Sequence, residues 1–244
     1  MPRKPRLFVS GLPAHIVQRG NNRQPIFFEE SDFRLYLSLL AEARDRYGCA
    51  VHTYVLMTNH VHLLLTPEER SSISCVMQYI GRQYVPYVNS KYGRSGTLWE
   101  GRFKASTVET SNYLLACHRY IEMNPVRAGM VGHAAEYFWS GYRHNALGQF
   151  NGLITPHGEY LALGESQDSR VKSYRRLFDC PMSEDQLREI RDFLQSGTPL
   201  GDKRFSDEIE ATLTARVGYA RRGRPRSDPE KARKGSDPFL EKGL

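Results

Sequence analysis

Cysteine is scarce and scattered in this chain. Cys49, Cys75, Cys117 and Cys180 are the only four in 244 residues, and none forms a C-x-x-C pair. That spacing argues against a disulfide framework and suits reduced packing residues in a cytoplasmic protein. Long apolar runs are also missing: no stretch of eighteen occurs, so no membrane span is expected. The basic opening, Met1 to Arg6, leads into no apolar stretch with a cleavage site, so a secretory signal is not expected. No internal repeat is present. What remains is ordinary globular composition, 40% hydrophobic and 25% charged, long enough for one large domain or one domain with an appendage.

Charge is unevenly placed. Residues 1–6 carry three Lys/Arg and no acid, and residues 216–244 carry nine Lys/Arg against four Asp/Glu, leaving the body near neutral. Basic ends on such a body read as arms for a polyanion, although charge alone favours the plainer reading of solvated, disordered tails.

Periodicity gives the element order. A strand is expected over His15–Gln18, then a turn from Arg19 to Arg23. Ser31 is placed to cap a helix bearing Phe33, Leu37, Leu40 and Tyr47 and closed by Gly48. Val51–Met57 and His60–Leu65 follow as strands. Ser71-Ser72 open a helix that Pro86 is expected to kink or split. Lys104–Val108 is a fourth strand, and Ser111 caps the helix carrying Tyr120. This order predicts an α+β, ferredoxin-like (RRM-like) antiparallel sheet with helices on one face.

Beyond about residue 135 the texture changes, and residues 141–170, rich in Gly, Asn and Ser, read as loop or linker. Two apolar stripes follow, Leu187/Ile190/Phe193/Leu194 behind a Ser183–Gln186 capping box, and Phe205/Ile209/Leu213/Val217 up to Gly218. The expected organisation is a domain over 1–145, a linker over 146–170, a helical region over 171–218 and a basic tail over 219–244.

The chemistry concentrates in His60-Val61-His62. On a strand, side chains two apart share a face, so both imidazoles can reach one metal ion. A hydrogen-bonded pair of buried histidines fits the same pattern. Tyr120 and Asn124, four apart in a helical pattern, lie on one face and offer a hydroxyl nucleophile and an oxygen ligand. Together the four suit metal-assisted covalent phosphoryl chemistry. Two imidazoles lean toward zinc or copper, whereas an amide and phosphate oxygens favour a harder ion.

The block Arg119-Tyr-Ile-Glu-Met-Asn-Pro-Val-Arg-Ala-Gly129, with His60-Val-His62 and Leu98-Trp-Glu-Gly-Arg-Phe-Lys104, resembles the single-tyrosine HUH transposases, in particular their REP-associated branch. The resemblance covers roughly residues 5 to 145. It implies a nuclease that cuts and joins single-stranded DNA near hairpins through a 5′-phosphotyrosine. It makes Tyr120 the nucleophile, and His60, His62 and Asn124 the ligands of Mg²⁺ or Mn²⁺. It leaves both a monomer and a homodimer open. Around such a site Arg19, Arg23, Arg102, Lys104 and Arg127 are candidates to hold phosphates, and Trp99 and Phe103 to stack on bases or to fill the core. In the tail, Arg221-Arg-Gly-Arg-Pro-Arg226 resembles an AT-hook, in which Arg222, Arg224 and Arg226 would enter an AT-rich minor groove. Two rival functions stand beside this one: a non-cleaving hairpin-binding protein or repressor on the same fold, and a zinc hydrolase of small phosphoesters.

Overall fold

Strands and helices alternate through the first half of the chain in the computed structural model, which describes residue 6 and residues 8–217. The order is β1 (Ala14–Arg19), α1 (Glu30–Tyr47), β2 (Cys49–Met57), β3 (His60–Pro67), α2 (Ser72–Lys91), β4 (Lys104–Thr107) and α3 (Thr110–Glu122). The four strands form one antiparallel sheet in the order β2-β3-β1-β4. This is the expected ferredoxin-like topology, with β3 and β1 central.

Strand alternation splits the sheet into two faces. Ala14, Ile16, Val61, Leu63 and Leu65 pack with α1 and α2 around Tyr36, Leu40, Ile80 and Tyr84. The opposite face presents His15, Val17, His60, His62 and Leu64. Register fixes this arrangement: Val17 and Val55 flank His62, while Arg19 and Met57 flank His60. Phase in β2 is corrected by a bulge at His52, between Val51 and Thr53, which puts Thr53 opposite Leu64 on the histidine face.

That second face is covered too. Helix α3 lays Leu114, Cys117, Tyr120 and Ile121 onto Val55, Met57, Leu64 and Val108. From the C-terminal region, α8 (Glu184–Ser196) adds Leu187 and Ile190 to the same cluster. Leu200 then pairs with the end of β4, donating to Thr107 O at 2.7 Å and accepting from Glu109 N at 2.8 Å. With both faces covered, β3 reads as a nearly unbroken apolar run in sequence.

Several local expectations are corrected. Glu29, boxed with Asp32, caps α1 in place of Ser31, and Glu109 precedes α3 in place of Ser111. Each serine hydroxyl instead donates to the preceding acid, Ser31 to Glu29 at 2.6 Å and Ser111 to Glu109 at 3.3 Å. Helix α2 runs unbroken through Pro86. Anchors on both sides of the proline hold it: Tyr84 donates to Ile26 O at 2.6 Å, and Tyr87 donates to buried Asp32 at 2.9 Å. Residues 141–170 contain α5 (Tyr142–Leu147), α6 (Gly158–Leu161) and the start of α7 (Gln167–Arg176) instead of a plain loop. Their tyrosines, Tyr142, Tyr160 and Tyr174, form a small core with Ala134 and Ala146. Helix α8 ends at left-handed Gly197 as expected. Helix α9 (Lys203–Leu213) stops at left-handed Thr214, short of Gly218, which lies outside the described residues.

Candidate active site on the histidine face

Tyr120 stands on the inner side of α3, its ring crossing His62 at 5.9 Å and His15 at 5.6 Å between centroids. His60 and His62 lie 5.1 Å apart, edge to face. Strand β3 supplies the pair, β1 supplies His15, and α3 supplies the phenol. Residues sixty positions apart in sequence therefore meet. Tyr120 and His62 are only 6% and 4% exposed, while His60 is half-buried, so the site opens on the His60 side.

The imidazoles are held as neutral rings. Burial pushes His60 down to about 4, with Arg19 adding to the effect. Burial also holds His62 well below the ordinary histidine range, aided by His15, His60, Arg127 and Arg19. Neutral rings keep a lone pair for a cation. His60 Nδ1–H donates to Asn59 Oδ1 at 2.6 Å, leaving Nε2 as the nitrogen with the free lone pair. His62 Nδ1 lies 2.8 Å from His15 Nε2, so its Nε2 is likewise the outward nitrogen. Outer partners of this kind orient metal-binding histidines. His15 itself is pushed down to about 3, chiefly by burial.

Asn124 sits past a break in the helix. Helix α3 ends at Glu122, and Asn124 opens the single turn α4 (Asn124–Arg127) ahead of Pro125. Its Nδ2 donates to the carbonyls of Tyr120 at 2.9 Å and Ile121 at 3.2 Å, which leaves Oδ1 as the donor atom for a ligand. Among the described residues no group of three or more His, Cys, Asp or Glu side chains is arranged to hold a metal. Two neutral imidazoles are nitrogen donors of the kind a divalent cation takes as part of a larger ligand set.

One basic residue packs on the phenol ring. The Arg127 guanidinium lies 4.4 Å from the centroid of the Tyr120 ring and donates to Tyr120 O at 2.5 Å. Burial lowers Arg127 to about 10, which leaves it charged at neutral pH. Exposed Arg19 ends β1 opposite His60, and exposed Lys104 starts β4 opposite Val17. Arg102 is exposed just before β4, and Arg23 is exposed in the turn after β1. Trp99 lies away from this group, buried against Tyr84 in the α1–α2 core with ring centroids 6.3 Å apart. Phe103 is half-buried and carries the Arg6 guanidinium 4.1 Å above its ring. Arg222, Arg224 and Arg226 lie outside the described residues.

Two groups have no counterpart in the sequence reading. His15 alternates with Val17 on β1, so its face could have been read from period two. The other is a buried cluster at the C-terminal end of α3. Glu122 accepts from Thr53 at 2.6 Å, Asn145 at 2.8 Å and Tyr174 at 2.8 Å, and Tyr174 lies 3.3 Å from His118. Burial raises Glu122 to about 7 against the opposing pull of these donors. Its partners come from β2, α5 and α7, so no local pattern announces it.

Comparison with known proteins bears on this geometry. The family model described as IS200-like transposase matches residues 8–124, a stretch containing both histidines, Tyr120 and Asn124. Among solved structures, a REP-associated tyrosine transposase bound to a REP hairpin aligns with a TM-score of 0.50 and 18% identity, covering 65% of this chain and 96% of that one. A Deinococcus radiodurans R1 protein assigned as a transposase aligns with a TM-score of 0.35 and 21% identity, over 50% of this chain and 96% of the other. None of the curated proteins matches the chain.

Proposed function

We propose that this protein, whose residues 8–124 match the IS200-like transposase family model, cuts and rejoins single-stranded DNA beside a hairpin through a phosphotyrosine on Tyr120. The observation that carries the reading is the packing of the Tyr120 ring against His62, with His60 beside it, on one face of the sheet. A nucleophile and a pair of neutral imidazoles, all on regular elements, are what phosphoryl transfer to a side chain needs.

The reaction balances simply. Tyr120 Oη bonds to phosphorus, the P–O3′ bond breaks, and the departing 3′ oxygen takes up a proton as the phenol loses one. One phosphodiester-level bond replaces another, so the reverse step joins strands without ATP. His60 and His62, with Asn124 Oδ1, would hold Mg²⁺ or Mn²⁺. When bound, such an ion offsets phosphate charge and polarises a non-bridging oxygen. Arg127 keeps the phenol against the sheet and presents a cation beside it. Arg19, Lys104 and Arg102 supply positive charge along the exposed rim, where a DNA backbone would run.

The hairpin part of the proposal draws on the related structure, whose ligand is a REP hairpin. The near-complete burial of Tyr120 is the one observation that favours the rival, a hairpin-binding protein that does not cut. Incubation with a labelled hairpin carrying single-stranded flanks, with Mn²⁺, followed by denaturation and peptide mapping, separates the two. Recovery of a nucleotide on the Tyr120 peptide supports cleavage. Tight hairpin binding with no adduct under any divalent ion supports the rival.

A further inference from the structure

Helix α8 lies outside the residues matched to the family, yet it borders the proposed site. Leu187 and Ile190 share a core cluster with Tyr120, and α8 touches β1, β4 and α3. Its flank toward the sheet is marked by Gln195, which accepts from Lys104 Nζ. Arg191 is four residues before Gln195 and four after Leu187, so it lies on that same flank. Arg191 is exposed, and its positive charge is felt at Arg127. Among the described residues, none of Arg19, Arg127 and Arg191 forms an ion pair with a carboxylate: the pairs there engage Arg34, Arg44, Lys91, Arg188, Lys203 and Arg204.

Like charges brought together without a carboxylate repel, and a bound anion removes that repulsion. Guanidinium groups match the fork geometry of a phosphate. Arg127 is already fixed, stacked on the Tyr120 ring and bonded to its carbonyl. Arg191 comes from a separate element, exposed on the flank of α8 toward the sheet.

We propose that Arg191 is a DNA-binding residue of this site, bracketing with Arg127 one backbone phosphate of the single strand beside Tyr120. The C-terminal helical region thereby contributes a substrate contact to chemistry housed in the sheet domain. This rests on the strand-cutting reading above for the identity of the anion.

The test uses the full chain and a single-stranded oligonucleotide whose phosphates are replaced one at a time by uncharged methylphosphonates. Arg191→Gln is compared with Arg188→Gln, a control on the same helix whose arginine pairs with Asp185 at 3.6 Å. Arg191→Gln is expected to weaken binding roughly ten-fold or more. It should also lower the slope of log affinity against log salt by about 0.7, the value for one phosphate on a single strand. One methylphosphonate position should weaken wild type and Arg188→Gln but leave Arg191→Gln indifferent. If Arg191→Gln keeps the wild-type affinity, salt slope and phosphonate profile, the proposal is overturned. Adduct formation is scored in parallel. A normal adduct with no Arg191 effect overturns this proposal alone, and an Arg191-dependent phosphate contact without any adduct overturns strand cutting alone.

Discussion

His15 Nε2 and His62 Nδ1 lie 2.8 Å apart, joining the two central strands on the face that carries Tyr120. When His62 ligates through Nε2, its Nδ1 holds the proton and His15 is the acceptor that fixes the ring. His15→Phe keeps an aromatic ring and removes the acceptor. Its Mn²⁺ affinity should fall about 10–100-fold, measured by titration calorimetry on the folded variant. Unchanged affinity would show that His62 needs no such partner.

Tyr120→Phe removes one oxygen and leaves the ring against His15 and His62. The covalent DNA adduct should drop to background on a denaturing gel. Binding to the same oligonucleotide should stay within about three-fold, because the arginines are untouched. An adduct that survives the substitution would place the nucleophile elsewhere.

Glu122 sets a pH dependence of stability. Its folded value is raised to about 7 from 4.5, so the folded state favours the protonated acid. The sign follows: the contribution is complete below pH 4.5 and is lost as pH rises through 7. Glu122→Gln keeps an acceptor for Thr53 and Asn145 without the buried charge. Urea unfolding of both proteins between pH 4.5 and pH 8 should show the variant gaining on wild type by on the order of 3 kcal/mol across that range. Parallel curves would mean that Glu122 stays ionised throughout.

Gly141 allows the chain to cross β2 closely. A Cβ there would fall 2.3 Å from Thr53 Oγ1 and 3.2 Å from Thr53 Cα. Gly141→Ala must therefore push back the strand whose Thr53 donates to Glu122. The expected loss is about 1–3 kcal/mol in chemical denaturation. A variant as stable as wild type would show that this crossing has room to relax.

The topology was readable because alternation in β1 and β3 and the helical spacing of α1 and α2 are strong, local signals. His60 and His62 could be placed on one face from spacing alone, and Tyr120 on a helix. Their convergence followed from the order of elements and not from any one motif. The capping serines misled because an acid two residues earlier competes for each hydroxyl, a choice decided by side-chain reach. Trp99 sits beside basic residues in sequence yet faces the α1–α2 core. Glu122 and Arg191 were silent for a common reason: their partners come from elements 20 to 70 residues away, and periodicity carries no information about such distances.

The strip around Leu200 has a bearing on how this protein can be handled. It covers the end of β4 by taking the Thr107 carbonyl, while Leu187 and Ile190 roof the apolar patch beneath α3. A fragment trimmed to the transposase-like stretch would be born with a bare strand rim and an uncovered greasy floor. Such a truncation is expected to self-associate, so the stretch from α8 to Leu200 is structural company for the front and not dispensable cargo.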